Sequence, residues 1–240
     1  MGLKQKIGLV AALGVLASGS GLLAYDGDAV SDARYQKRCL GCDLSEAPFQ
    51  FEDLSNADLK GSNLANADLE NSNLAGADLT GANLTGANLD NANLVGANLS
   101  GAKLMGANLQ EANLKGANLD TADLSNAKMK LCNLQEAHGR GAKLKGTDLT
   151  LAAAERSVFT DADFSGARLS WSKFDLANLA GSRFERAVIE ETTLHGADMK
   201  QTRLNDAQMI STGYHLTQFY GATWTDGKLC KKGSVGFCQK

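Results

Sequence analysis

The sequence predicts an all-β solenoid, a chain wound into stacked coils around one continuous core. A large apolar residue recurs at every fifth position but two from Leu44 to Trp224, and a small residue stands two places before almost every one of them. The composition is skewed to match, with 26 Gly, one Pro and 6% aromatic residues among 240. Such bias accompanies either disorder or a repeat, and a fixed period selects the repeat. A hydrophobic content of 43% is enough to build a core.

The first 24 residues stand apart from the repeat. Lys4 and Lys6 precede Ile7 to Ala24, an uncharged run that ends Leu22-Leu23-Ala24, with a small residue where a signal peptidase cuts. Residues 1–24 therefore predict a secretory signal. The alternative is a membrane anchor, but 18 residues is near the lower limit for a span, and six of them are Gly or Ser. No stable membrane span is expected once the signal is cleaved. Residues 25–41 predict a capping segment: Asp28 or Ser31 could start a short helix carrying Ala29, Val30, Ala33 and Tyr35 over the first coil.

From residue 42 to 224 the register is unbroken, with 37 centres, of which only Gly139 and Ala154 are not large and apolar. The place two before each centre holds Ala, Ser or Thr, except at Cys42, Glu52 and Cys132. The other three places are read as polar or Gly. A step of five turns an α-helix by about 140°, which would scatter the leucines over every face. In a flat strand an odd step alternates them between two sides. Within a pentad, however, the small residue and the centre are two apart and point the same way along an extended piece. A bend at the next two residues, rich in Gly, Asn, Ser and Asp, brings the following pair to the same interior. Leu64, Leu84, Leu94, Leu104, Leu124, Phe164 and Phe184 are thereby assigned to the core. Pro48, the sole proline, lies in the first coil, where a missing ladder donor does least harm.

The A-(D/N)-L-x-x pattern, as in Ala57-Asp58-Leu59, Ala87-Asn88-Leu89 and Ala117-Asn118-Leu119, resembles the pentapeptide-repeat family. That resemblance implies a right-handed quadrilateral parallel β-helix, with four pentads per coil. About nine coils at ~4.8 Å each would make a rod roughly 43 Å long. Cys39 and Cys42 at one end cannot then meet Cys230 and Cys238 at the other in a single zinc site. Each pair is read as a local disulfide of an oxidising compartment, the second tying down the tail at 225–240, which resembles the ending of secreted bacterial members. A redox role for Cys39-Leu40-Gly41-Cys42 lacks the βαβ context it needs. Cys132 stands at a small inward place and is read as a buried free thiol.

Gly139 and Ala154 leave a gap in the core, and Phe159, Phe164, Phe174 and Phe184 follow closely enough to fill it. Four-sidedness also stacks residues twenty apart, so Lys115, Gln135, Glu155, Asp175, His195 and His215 form one outer column. Glu155, Asp175, His195 and His215 are the candidate metal ligands; the competing reading is a solvated column that avoids like charges. The sequence holds no nucleophile elbow, phosphate loop or His-Glu-x-x-His helix, and no enzyme activity or cofactor is expected. The acceptor-like triplets at Asn83 and Asn98 follow from the repeat itself.

The formal charge of −3 becomes −5 once Lys4 and Lys6 leave with the signal, too acidic for a nucleic-acid footprint. Some proteins of the resembling family mimic DNA and inhibit gyrase as end-to-end dimers. Export opposes that role, as do Lys115, Lys143, Lys145, Arg156, Arg168, Lys173, Arg183, Arg186 and Arg203, which interrupt the acid. The expectation is a periplasmic or secreted scaffold, with a thylakoid lumen as the other compartment, that binds an unknown protein partner as a monomer or an end-to-end dimer.

Overall fold

The computed structural model describes residues 25–240; the signal assigned to residues 1–24 lies outside the described residues. Each pentad accounts for its five backbone N–H groups in a fixed way, and the residue types follow from that accounting. In the pentad around Leu79, Asp78 donates to Ala57 O in the coil before it (2.9 Å), while Leu79 and Gly81 donate to Asn98 O and Ser100 O in the coil after it (2.7 and 2.9 Å). The Thr80 N–H goes to Asp78 Oδ1 (3.1 Å), which is why Asp or Asn precedes the centre. Ala82 N–H closes the corner onto Leu79 O (2.9 Å). The third residue of that turn is left-handed, with φ of +65° at Gly81, as a type II turn requires.

Parallel bridges join residues twenty apart, from Arg38↔Asp58 through to Arg203↔Thr223. Twenty residues are four pentads, so every coil has four sides. The ladder begins at Arg38 and thus includes Cys39 and Leu40, which the sequence places in the capping segment. Outside, amides stack between coils: Asn63 Nδ2 donates to Asp43 Oδ1 (2.9 Å), and Asn83 Nδ2 donates to Asn63 Oδ1 (2.9 Å).

Inside, Leu64, Leu84, Leu94, Leu104 and Leu124 are fully buried together with the small residues two places before them, Ser62, Ala82, Ala92, Ala102 and Ala122. Each such leucine contributes about 1.5–3 kcal/mol of transfer free energy. Buried hydroxyls at the small places donate to backbone carbonyls: Ser172 Oγ to Leu169 O in its own turn (2.6 Å), and Thr147 Oγ1 to Leu124 O one coil back (2.8 Å). At the gap, a Cβ added to Gly139 would lie 2.3 Å from the Phe159 ring, so that ring fills the space a leucine would take. The Phe164 and Phe184 rings, twenty residues apart, stack with centroids 4.8 Å apart, and Phe174 meets Phe164 edge-on at 6.1 Å.

Both ends are covered. At the first, helix α1 (Gly27–Ser31) runs into a π-helical turn (Asp32–Gln36). The cap is Asp26, whose side chain accepts from Asp28 N (2.9 Å) and Ala29 N (3.4 Å), and not Asp28 or Ser31, which lie inside the helix. Ala29, Val30 and Ala33 face the first coil, but Tyr35, about half a turn past Ala33, is 78% exposed. Arg34 lies 5.6 Å over the Phe49 ring and pairs with Glu52 at 3.1 Å, which explains a carboxylate at a small inward place. Pro48 costs the ladder nothing: its missing N–H would point at this cap, while Phe49 N–H still reaches Asp68 O (2.7 Å).

At the other end the tail turns back antiparallel, with bridges Gln218↔Val235 and Thr223↔Leu229. Phe219, Gly221 and Trp224 donate to Ser234 O, Cys230 O and Lys228 O at 2.8–2.9 Å. Disulfides join Cys39 to Cys42 (Cα–Cα 5.5 Å) and Cys230 to Cys238 (5.0 Å).

Candidate functional site

The column of candidate metal ligands is built as neighbouring corners of successive coils, and Asp175 within it serves the backbone. Asp175 accepts the His195 backbone N–H (2.7 Å) and the Thr193 hydroxyl (2.7 Å), and the His195 ring lies 3.9 Å from it through Nδ1. Glu155 is engaged by Gln135 Nε2 (3.2 Å). The His195 ring leans over Gly213, where an added Cβ would come within 2.8 Å of Nε2. Among the described residues no group of three His, Cys, Asp or Glu side chains is placed to hold a metal ion. The column borders a shallow depression between Lys115, Glu136, Arg156 and Leu176, in which Lys115 pairs with Glu136 at 3.6 Å.

Cys132, the one free cysteine among the described residues, is buried between coils, and desolvation pushes its thiol well above the ordinary range. A thiol so placed is neither a nucleophile nor a metal ligand. Several surface carboxyls are shifted the other way. Bonds from the Ser55 hydroxyl and N–H, with Lys37 nearby, hold Asp53 down at about 2. Burial raises Asp163, but bonds from Ser165 and the charge of Arg183 outweigh it and leave the group below its usual value.

The outer places of the pentad are not uniformly polar or Gly, as the sequence reading had them. Leu131, Leu151 and Trp171 are twenty residues apart at the left-handed corner place, with φ of +62°, +62° and +57°. They are 46%, 44% and 49% exposed. Their own N–H groups reach the next coil at that corner, at Thr150 O, Ser170 O and Glu190 O (2.9–3.0 Å), so the three side chains form one stripe along the rod. Lys128, Lys130, Arg168 and Lys173 flank it, all exposed. No ion pair among the described residues involves any of the four. Reading the sequence along the chain hides this stripe; aligning it in rows of twenty reveals it. Among the described residues no helix is long and apolar enough to cross a membrane.

A four-sided ladder of pentads around a leucine core defines a repeat protein of stacked coils. The chain belongs to the pentapeptide-repeat family: the family model for pentapeptide repeats, in 8 copies, matches residues 53–91, 82–120, 117–152, 140–175 and 177–206. Among solved structures, HetL, a pentapeptide repeat protein involved in heterocyst differentiation regulation in the cyanobacterium Nostoc sp. strain PCC 7120, is 28% identical. That alignment covers 80% of this chain and 89% of HetL, with a TM-score of 0.46. QnrB1, a plasmid-mediated fluoroquinolone resistance protein, is 17% identical over 73% of this chain and 89% of its own, with a TM-score of 0.38. A pentapeptide repeat protein of the Arabidopsis thaliana thylakoid lumen is 32% identical over 43% of this chain and 66% of its own, with a TM-score of 0.23. No curated protein matches the chain. Family membership carries with it the right-handed quadrilateral β-helix.

Proposed function

We propose that this protein is an exported, non-catalytic scaffold that presents a rigid, elongated surface to a protein partner. The observation that carries the reading is the parallel ladder from Arg38 to Thr223, closed at both ends, whose interior is filled by its own side chains. Stacked coils of this kind suit extended recognition. Export is supported by the disulfides at the two ends, since such bonds persist in oxidising compartments, and by the uncharged run from Ile7 to Ala24. The periplasm or the medium is the proposed location, with a thylakoid lumen as the equivalent in a photosynthetic cell.

The test is to fractionate cells making a carboxyl-terminally tagged protein and to take the mass of the product. A product lacking residues 1–24 outside the cytoplasm is expected. An intact cytoplasmic product would overturn export, and a gyrase inhibition assay would then examine the DNA-mimic reading.

A further inference from the structure

We propose that the corner stripe Leu131–Leu151–Trp171 is a docking edge for an acidic amphipathic helix of a partner protein, laid lengthwise along the rod. The inference rests on the scaffold reading and locates the surface that reading needs.

The first argument is that the fold does not require these residues. The same corner column carries Phe51, Asn71, Asn91 and Glu111 in the earlier coils; Asn71 and Asn91 have φ of +55° and +56°, and asparagine tolerates the left-handed region far better than a bulky residue does. Leu131, Leu151 and Trp171 adopt this conformation in three consecutive coils and still leave nearly half of their surface in water. Strain combined with apolar exposure, repeated in register, points to an external contact.

The second argument is charge. Lys128, Lys130, Arg168 and Lys173 surround the stripe with no ion pair among the described residues, although the chain as a whole is acidic. Asp148, the carboxylate on the flanking columns within these three coils, is occupied by the Thr150 N–H (3.1 Å) and hydroxyl (2.5 Å), while Glu111 lies one coil before Leu131 and Glu190 one coil after Trp171. Beyond Trp171 the column continues as Glu191, so the basic zone ends where the apolar one does. A partner that matches this edge carries apolar side chains flanked by carboxylates.

The third argument is spacing. Coils repeat at about 4.8 Å and helical turns at about 5.4 Å, so side chains at i, i+4 and i+7 of a helix can meet three successive rungs with little offset. The stripe is one large side chain wide, and the column beside it, Asn133, Ala153, Lys173 and Thr193, is polar but for the small Ala153. That is a narrow edge, unlike the broad apolar face that sinks into a bilayer.

The test uses the full chain, folded and with its disulfides intact, against a displayed library of amphipathic helices with randomised flanking charge. The control is the triple variant Leu131→Asn, Leu151→Asn, Trp171→Asn, which restores the residue found at Asn71 and Asn91, with its fold checked by circular dichroism. Enrichment of helices with Asp or Glu beside the apolar positions is expected. Their synthetic versions should bind at least about tenfold more weakly to the triple variant and lose affinity as salt rises. Absence of enrichment, enrichment of uncharged or basic helices, or equal binding to the triple variant would overturn the proposal. So would stripe-dependent binding to phosphatidylglycerol vesicles in place of the helices, or a dimer that the triple variant dissolves. All readouts are in vitro, so failure here leaves the fractionation result, and the export it tests, untouched.

Discussion

Residues 53–126 and residues 127–224 share one ladder but solve the corner differently. In the first stretch every centre is leucine, every residue before it is Asp or Asn except Lys103, and every left-handed corner is Gly or Asn except Glu111 and Thr121. In the second, the centres include Gly139, Ala154 and five phenylalanines, and the left-handed corners hold Leu131, Leu151, Arg156, Trp171, Leu176, Arg186 and Leu216. The places before the centres take Lys128, His138, Ala153, Val158 and Arg168, none of which can accept the corner N–H as an Asx side chain does. Backbone pairing twenty residues apart is the same throughout. The fold therefore needs the ladder and a filled interior; the Asx and Gly places ease each corner, and where they are given up the surface gains apolar and basic side chains.

The sharpest way to break this comparison is a charge inside the regular half. Leu94→Asp would bury an unpaired carboxylate and should cost at least about 3–5 kcal/mol, unfolding neighbouring coils in circular dichroism and denaturant melts. An equally stable variant would mean that Leu94 faces outward. Next comes the irregular core. Gly139→Leu should drive the new side chain into the Phe159 ring and cost about 1–3 kcal/mol, while Gly139→Leu with Phe159→Leu should recover most of it. Additive losses in that cycle would separate the two sites.

A third effect is spread over both halves and the two ends. Asp43, Asp53, Asp78, Asp123, Asp163 and Asp226 have folded values below their ordinary ones, so each contributes stability above the unfolded carboxyl value near 4. That contribution disappears as pH falls through the folded values, down to about 2 for Asp53. Melting temperature should accordingly decline between pH 4 and pH 2, and a flat profile there would remove these carboxyls from the stability of the rod. The smallest effect compares the corners directly. Leu151→Asn should stabilise by a few tenths to about 1 kcal/mol, and Asn91→Leu at the same column should destabilise by a similar amount. Equal stabilities would dissolve the contrast between relaxed and strained corners.

The register was legible because a single slip would turn a leucine outward, so the pattern from Leu44 to Trp224 had little freedom. The number of sides was not legible from the period, which says that the chain bends each pentad but not by how much; it came from likeness to a family. The helix cap at Asp26 was missed because three acceptors within six residues, Asp26, Asp28 and Ser31, read alike until the entry angle of the chain is known. The corner stripe was missed for a different reason. Its three members are neighbours only across coils, and a reading along the chain meets them as isolated departures from a polar rule.

The tail has a consequence for what the rod does not become. A parallel ladder has no inherent stopping point, because its last rung offers the next copy the same template it offered itself, as the growing tip of a fibril does. Here Gln218 and Thr223 meet strands running the opposite way, held by the Cys230–Cys238 bridge. A second molecule approaching that end finds the acceptors occupied and the polarity reversed, so chain direction alone acts as a terminator of polymer growth.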